Sequence, residues 1–169
     1  MPCGSAGCMG PDGNWAGSRL PTVRLPRLAA TYVLVLRLPR PAAIAVGQLG
    51  TFHFPSGWYA YAGSARGPGG LDTRISRHLR SPKPLHWHVD YLRVAAEPVE
   101  IWYALGAQER ECVWARALAG LPGALIPVPR FGASDCRCLA HMVHFAALPD
   151  MGAFARAVDD VVLQERLDV

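Results

Sequence analysis

The stretch Tyr61-Ala62-Gly63-Ser64-Ala65, followed by Arg74-Ile75-Ser76-Arg77-His78, decides how the fold of this chain is interpreted. The first part has the pattern of a strand that ends in a tight glycine turn, and the second that of a basic helix. A glycine-rich loop, 66–70, lies between them. A tyrosine at the strand end and an arginine on the next helix would reach the same phosphate, which suits the planar guanidinium fork. The stretch therefore predicts a site for phosphate chemistry.

Hydrophobic periodicity and turn residues divide the rest of the chain into predicted strands and helices. The strands are 31–38, 52–54, 57–61, 99–105 and 136–145, and the helices are 71–79, 86–94, 108–118 and 150–167. The turn Pro55-Ser56-Gly57 predicts an antiparallel hairpin of the second and third strands, and Asp150 is a predicted N-cap. Strands interleaved with helices predict an α/β (α+β) fold, with a small mixed, mainly antiparallel sheet flanked by helices.

The length of 169 residues allows one domain with a single core, and 51% apolar residues exclude a disordered chain. Residues 1–28 are rich in Gly, Pro and Arg and are predicted to be a disordered tail. The predicted domain spans 29–148, and 149–169 forms a C-terminal helix. The longest apolar run is too short for a bilayer, and the N-terminus lacks the apolar core of a secretory signal. We therefore expect a cytoplasmic protein with no membrane partner.

Basic residues are concentrated beside the predicted site. Between positions 63 and 93 there are six basic residues and two acidic ones. This concentration favours a nucleic-acid partner, although a solvated arginine face would have the same composition. The residues predicted to contact nucleic acid are Arg66, Arg77, Arg80, Lys83, Trp87 and His88.

Four features that follow one another along the chain are more specific together than each is alone. Tyr32 in the first strand, Tyr61-Ala62-Gly63, Arg74 with His78 four residues on, and Glu111 in a later helix together resemble the GIY-YIG nuclease superfamily. The resemblance covers about residues 30–148 and is greatest to an uncharacterised branch that occurs alone or fused to endonuclease III. The details that support this branch are Phe54-Pro55-Ser56-Gly57, His86-Trp87-His88-Val89-Asp90-Tyr91, Glu109-Arg110-Glu111-Cys112 and Phe131-Gly132-Ala133-Ser134-Asp135-Cys136.

The resemblance implies a metal-dependent DNA endonuclease in DNA repair or processing, with a link to endonuclease III-type repair proteins. Glu111 would hold one Mg²⁺ (or Mn²⁺), which binds through one or two carboxylates and substrate oxygens, and Glu109 is the alternative ligand. Arg74 would stabilise the charge that develops on the phosphate. An ordinary surface carboxylate and an arginine that only positions DNA are the alternative interpretations.

The same resemblance gives roles to the aromatic residues. Tyr32 or Tyr61 would orient or deprotonate the attacking water, and Tyr59, which shares a strand face with Tyr61, is an alternative to it. His78 would hold a tyrosine hydroxyl or a phosphate. Without the resemblance, each of these residues would be read as part of the core.

The chain also departs from the superfamily pattern. Ala30-Thr31 replaces a glycine and an apolar residue, and the late asparagine has no counterpart because Asn14 is the only asparagine. Ser134 or Asp135 could take its place, but spacing does not establish this. A catalytically weak nucleic-acid-binding module therefore stays an alternative function, and a structural or partner-binding protein is a third.

Two clusters of polar residues have more than one interpretation. In 86–90, Trp87 could stack on a base and His88 and Asp90 could line a cleft, or the segment could form a polar network and a helix cap. Cys136 and Cys138 with His141 and His144 are Zn²⁺ ligands in kind, but the spacing of the cysteines is unusual. On a predicted strand the two histidines would also face opposite sides, which favours buried apolar cysteines.

Overall fold

The computed structural model of the protein describes residues 22–168. The elements in this range are β1 (Ala30–Leu38), β2 (Ala42–Val46), β3 (Gly50–Phe54), β4 (Gly57–Ala65), α1 (Gly70–Leu79), α2 (His88–Arg93), β5 (Glu97–Leu105), α3 (Glu111–Ala119), β6 (Met142–Phe145), α4 (Met151–Val158) and β7 (Leu163–Arg166). Within the described residues, no helix has the length and apolar character needed to cross a membrane.

Five strands form the main sheet in the order β6-β4-β1-β5-β7, while β2 and β3 form a separate two-stranded sheet. Each of the strand pairings between residues 22 and 168 is antiparallel. The central strand β1 is buried at every position except Arg37, as expected for a strand that is covered on both faces. The predicted α/β (α+β) fold, with a mainly antiparallel sheet flanked by helices, is confirmed.

The main sheet separates two hydrophobic clusters, because successive side chains of a strand point to opposite faces. On one face, Tyr32, Leu34 and Leu36 pack with residues of α1 and α2, including Leu71, Ile75, Leu79, Val89 and Leu92. On the other face, Val33, Val35 and Trp102 pack with residues of α3 and α4, including Trp114, Leu118 and Phe154. The four helices therefore cover both faces of the sheet.

The predicted hairpin between 52–54 and 57–61 is wrong. β3 pairs with β2, and β4 pairs with β1 along nine residues, from Ala30↔Ala65 to Leu38↔Gly57. Strand β4 therefore belongs to the main sheet, where it pairs with the long and buried β1, and the shorter β3 pairs with the preceding strand, β2. The chain changes sheet at Pro55-Ser56-Gly57, where Gly57 has a φ of 135° that favours glycine.

The C-terminal prediction is correct only at its start. Asp150 caps α4, as predicted, since its side chain accepts a hydrogen bond from the backbone N–H of Gly152. The predicted helix over 150–167 is wrong beyond Val158, because Asp159 adopts a left-handed conformation and β7 then pairs with β5. The C-terminal segment is consequently part of the main sheet.

The predicted disordered tail, 1–28, lies outside the described residues up to position 21. The part that the structure describes is packed on the domain, and Leu25 is buried. The carbonyl oxygens of Pro26 and Leu28 accept hydrogen bonds from the N–H groups of Asp72 and Leu71, at 3.2 and 2.9 Å. These N–H groups belong to the first turn of α1 and have no partner within the helix. Residues 26–28 thus stabilise the start of α1 and are not a tail.

Candidate active site

The candidate site lies at the end of the main sheet where β1 begins and β4 ends, which we call the site end. Because the two strands are antiparallel, Tyr32 lies directly opposite Gly63, and Tyr61 is two residues from Gly63 on the same face. A Cβ atom at Gly63 would lie 2.5 Å from the Tyr32 ring. Only glycine therefore lets the Tyr32 ring cross β4, which explains the glycine two residues after Tyr61.

The hydroxyl group of Tyr32 faces two side chains of α1. It lies 2.6 Å from Nε2 of His78, and Arg74 lies close enough to offset part of the rise that burial causes in the pKa of the phenol. Burial, with the nearby charge of Lys83, lowers the pKa of His78 to about 3, so the imidazole is neutral near pH 7. With the proton of His78 on Nδ1, which faces Asp90 at 3.9 Å, Tyr32 donates to Nε2.

Among the described residues, Arg74 has no carboxylate partner and is positioned by contact with an aromatic ring. Its guanidinium lies 4.4 Å from the centre of the Trp87 ring, and that of Arg77 lies 4.3 Å from the same ring. None of the salt bridges formed between residues 22 and 168 includes Arg74. Trp87, which was predicted to stack on a nucleic-acid base, instead contacts the guanidinium groups of Arg74 and Arg77. It therefore positions these arginines and leaves the charge of Arg74 for an anionic ligand.

Glu111 is the first residue of α3 and approaches the site from the other face of the sheet. Nδ1 of His141 donates a hydrogen bond to its Oε1 at 2.8 Å, and the side chain of Ser64 on β4 lies beside the same carboxylate. Burial would raise the pKa of Glu111, but the contacts with His141 and Ser64 and the charge of Arg66 lower it below the usual value. With 28% of its side chain exposed, Glu111 is an ionised carboxylate that a ligand can reach.

The predicted residues Tyr32, Tyr61, Arg74 and Glu111 come from four different elements and meet at the site end. Burial raises the pKa of both tyrosines, and the charges of Glu111 and Arg74 act on both hydroxyl groups in opposite directions. Both phenols therefore stay protonated near pH 7. In the free protein they can donate and accept hydrogen bonds, but neither is a ready base.

A buried ion-pair network lies behind the site and uses two of the predicted nucleic-acid contacts, Lys83 and Arg77. The carboxylate of Asp90 is fully buried and pairs with Lys83 at 2.7 Å and with Arg77 at 3.3 Å. It also accepts hydrogen bonds from the backbone N–H groups of His86 and Trp87, both at 2.9 Å. The Lys83 side chain is only 5% exposed, so its ammonium group is not available to a nucleic acid. Asp90 has the network role that the sequence left open.

The other predicted nucleic-acid contacts have different surroundings. Arg80 is exposed at the end of α1, and Arg66 is exposed and paired with Glu109. The half-buried His88 accepts a hydrogen bond from the backbone N–H of Gly132 at 2.8 Å, which gives it a structural contact. Glu109, the alternative metal ligand, precedes α3 and is 77% exposed, so it lies at the rim of the site.

A second cluster adjoins Glu111. Cys112, Cys136, Cys138 and His141 each present one donor atom, and all four donor atoms lie within 4.8 Å of one another. Nε2 of His141 lies 3.3 Å from Sγ of Cys136 and 3.7 Å from Sγ of Cys112. The predicted strand over 136–145 is wrong in its first part, because β6 begins only at Met142. Cys136 and Cys138 are half-buried in the loop before β6, so the argument from strand faces does not apply to them.

The membership of this cluster also differs from the sequence interpretation. His144 is not part of it, since its Nε2 lies 3.0 Å from the carbonyl oxygen of Ser56. Cys112 takes the fourth position, which the sequence reasoning missed because it lies on a distant helix. The signal that could have identified it is its place immediately after Glu111. Ser64, the partner of Glu111, was also missed, although it belongs to the stretch that decided the fold.

The fold and the site define a small α+β domain with an antiparallel sheet and a polar site at one sheet end. The family model described as domain of unknown function DUF123 matches residues 31–162, and the chain belongs to this family. Comparison with curated proteins and with solved structures gave no significant match.

Proposed function

We propose that this domain is a metal-dependent DNA endonuclease that hydrolyses phosphodiester bonds. Its active site would be formed by Tyr32, Tyr61, Arg74, His78 and Glu111. The observation that carries the proposal is the position of Arg74, which lies beside the buried Tyr32 and near the ionised Glu111. Arg74 has no carboxylate partner among the described residues. A phosphate would meet a guanidinium fork, two phenolic hydroxyl groups and a metal-binding carboxylate in one place. The resemblance to the GIY-YIG nuclease superfamily supports the same conclusion.

Glu111 fits a single Mg²⁺ (or Mn²⁺), since its carboxylate is ionised and partly exposed. Mg²⁺ typically binds through one or two carboxylates and completes its shell with water and phosphate oxygens. When bound, the ion would supply Lewis-acid stabilisation for the phosphate and the leaving oxygen. His141 and Ser64 would keep the carboxylate charged and fixed in orientation.

The remaining groups of the site would act on the phosphate and the attacking water. Arg74 would bind a phosphate oxygen and stabilise the charge of the transition state. Tyr32 and Tyr61 would orient the water by hydrogen bonds, since burial keeps both phenols protonated. His78 would position Tyr32, because Nε2 of its neutral ring lies 2.6 Å from the Tyr32 hydroxyl group.

The alternative function is a catalytically weak nucleic-acid-binding module. Two observations favour it over an efficient nuclease. A single carboxylate of the described residues, Glu111, would serve the metal site, and Ser134 and Asp135, the two candidate replacements for the late asparagine, are exposed in the loop before Cys136. The proposed setting for either function is DNA repair or processing in the cytoplasm, next to endonuclease III-type repair proteins, and it rests on the resemblance.

The decisive experiment incubates the purified protein with labelled duplex, flap, branched and damaged DNA, and with RNA, with and without Mg²⁺ or Mn²⁺. Glu111→Gln should abolish cleavage and keep DNA affinity, because it removes the metal ligand and a negative charge together. The matched control is Glu109→Gln, which removes a carboxylate two positions earlier at the rim and should keep cleavage. Arg74→Ala should lower cleavage by about 100-fold to 1000-fold and also weaken binding.

The outcomes separate the candidate functions. Metal-dependent cleavage that is lost in Glu111→Gln and kept in Glu109→Gln supports the nuclease. Salt-sensitive binding with no cleavage under any condition identifies the binding module. Cleavage that survives Glu111→Gln at the wild-type rate would exclude Glu111 as the metal ligand.

A further inference from the structure

We propose that Cys112, Cys136, Cys138 and His141 form a tetrahedral Zn²⁺ centre, distinct from the Mg²⁺ site proposed at Glu111. The distances between donor atoms have the right scale. A tetrahedron with Zn–S of about 2.3 Å and Zn–N of about 2.0–2.1 Å has edges of about 3.6–3.8 Å. The observed separations from Nε2 of His141 are 3.3 Å to Cys136 and 3.7 Å to Cys112, and all four donor atoms lie within 4.8 Å of one another.

The orientation of His141 is that of a metal ligand. Its Nδ1 donates to Glu111 at 2.8 Å, which fixes the tautomer and leaves the lone pair of Nε2 directed towards the thiols. Histidine ligands of metals characteristically donate their other ring N–H to a carboxylate or a carbonyl group. Glu111 is this second partner, so the imidazole is already turned into the position that zinc binding requires.

The backbone around the cysteines brings the donors together. Cys136 and Cys138 lie in the loop 130–141, whose ends are joined by backbone hydrogen bonds from Arg130 to Leu139 at 2.6 Å and from His141 to Phe131 at 2.7 Å. The guanidinium of Arg130 also donates to the carbonyl oxygen of Cys138 at 2.8 Å. The loop is therefore closed on itself and places two thiols beside the start of α3.

The three cysteines are placed where a metal ion could reach them. All three cysteines are half-buried, and Cys112 and Cys138 border a cavity of about 320 Å³. Arg116 and Arg137 line the same cavity. A set of three thiolates and one imidazole selects Zn²⁺ over Mg²⁺ or Ca²⁺, which prefer oxygen ligands. Four protein donors close the coordination shell, which is typical of a structural zinc site.

The centre would connect two parts of the candidate site. It would join the start of α3 to the loop 130–141, and through His141 it would hold Glu111. This last step rests on the proposed function, and in it His141 is a positioning residue. The zinc itself does not rest on that function, because the thiols and the imidazole would bind it whether or not Glu111 acts in hydrolysis.

The test measures metal in the full-length protein, purified under reducing conditions without chelators. Elemental analysis should find a single Zn²⁺ per chain. Cys112→Ser and Cys138→Ser should each lose most of the zinc, whereas His144→Gln, which changes the histidine outside the cluster, should retain it. Replacement of Zn²⁺ by Co²⁺ should give the intense visible bands of tetrahedral cobalt and a thiolate-to-cobalt charge-transfer band in the wild-type protein.

Each outcome supports or overturns the proposal. Purified protein with no zinc, and no tetrahedral Co²⁺ spectrum after loading, would overturn it, as would a disulfide between two of the cysteines under reducing conditions. Zinc that persists in Cys112→Ser and Cys138→Ser would place it elsewhere. If a serine variant fails to fold, the wild-type Co²⁺ spectrum still decides. Glu111→Gln should keep the zinc while losing cleavage, so a failure of the nuclease proposal and a failure of the zinc proposal give different results.

Discussion

At the residue scale, the missing side chain of Gly63 determines where the Tyr32 ring lies. We expect Gly63→Ala to destabilise the protein by about 1–3 kcal/mol, the usual cost of overpacking a buried site. A new Cβ would lie 2.5 Å from the ring of Tyr32, whose movement would also disturb the hydrogen bond to His78. For a chain of this length the midpoint of thermal unfolding should fall by about 2–4 °C per kcal/mol. Thermal and urea denaturation measure this effect.

The matched control is Gly67→Ala. Gly67 is exposed in the loop before α1, and a Cβ there would meet nothing within 4 Å. Its stability should stay within about 0.5 kcal/mol of the wild type. Equal stabilities of the two variants would mean that the Tyr32 ring is free to move and that Gly63 has no steric role.

Residue-level features of the site could be predicted from the sequence where local geometry determines them. Arg74 and His78 share a helix face because they are four residues apart, and this spacing is visible in the sequence. Lys83 and Cys112 could not be placed in the same way. The partner of Lys83 is Asp90, across an irregular segment, and the neighbours of Cys112 belong to a loop. Their contacts depend on how distant segments pack.

At the scale of elements, β7 completes the hydrogen bonding of a buried carboxylate. Glu100 on β5 is 3% exposed and accepts hydrogen bonds from Nε1 of Trp102 at 2.9 Å and from Nε2 of Gln164 at 2.8 Å. We expect Gln164→Ala to lower the free energy of unfolding by about 1–3 kcal/mol, because a buried carboxylate loses one of its partners. Urea denaturation of the purified variant measures this loss.

The neighbouring position provides the control for that experiment. Glu165 lies on the same strand but is paired opposite Ile101 and points to the other face of the sheet. Glu165→Gln should leave the stability within about 0.5 kcal/mol. If Gln164→Ala also leaves the free energy of unfolding unchanged, β7 does not stabilise Glu100 and its pairing with β5 contributes little to stability.

The elements differ in how far the sequence determines them. Helix α1 follows from the four-residue spacing of Leu71, Ile75 and Leu79, and the apolar run of β1 could only be a buried strand. β7 consists of Leu, Gln, Glu and Arg, all strong helix formers, so local propensity predicts the wrong element. Pairing with the edge of β5 overrides that propensity, and such pairing is a tertiary effect that one sequence does not show.

At the scale of the whole molecule, the proposed function requires that positive charge be concentrated at the site end. Arg66 is exposed at the site end, where β4 ends, and Arg80 is exposed at the C-terminal end of α1, while Lys83 is neutralised by Asp90. The cluster of basic residues in the sequence therefore overstates the charge that reaches solvent. The sequence indicated the sign of this surface, but the fold decides which cations can act on a ligand.

If DNA binds at the site end, its affinity should depend on salt through these arginines. Each phosphate contact contributes about −0.9 to the slope of log K against log salt concentration. We expect the double variant Arg66→Ala, Arg80→Ala to make this slope shallower by about 1.8, measured by fluorescence anisotropy of a labelled duplex. Loss of the exposed pair between Arg66 and Glu109 adds little, because such pairs contribute about 0–1 kcal/mol.

The measurement should be made in the Glu111→Gln background, so that cleavage does not alter the DNA during titration. Arg37 provides the matched control, since it is an exposed arginine near the other end of β1, over the ring of Trp58. Arg37→Ala changes the net charge without changing the site end, and its slope should equal that of the parent protein. If Arg37→Ala lowers the slope as much per charge as the double variant does, binding follows net charge alone. The site end would then have no preferred role in DNA binding, and the nuclease proposal would lose its electrostatic support.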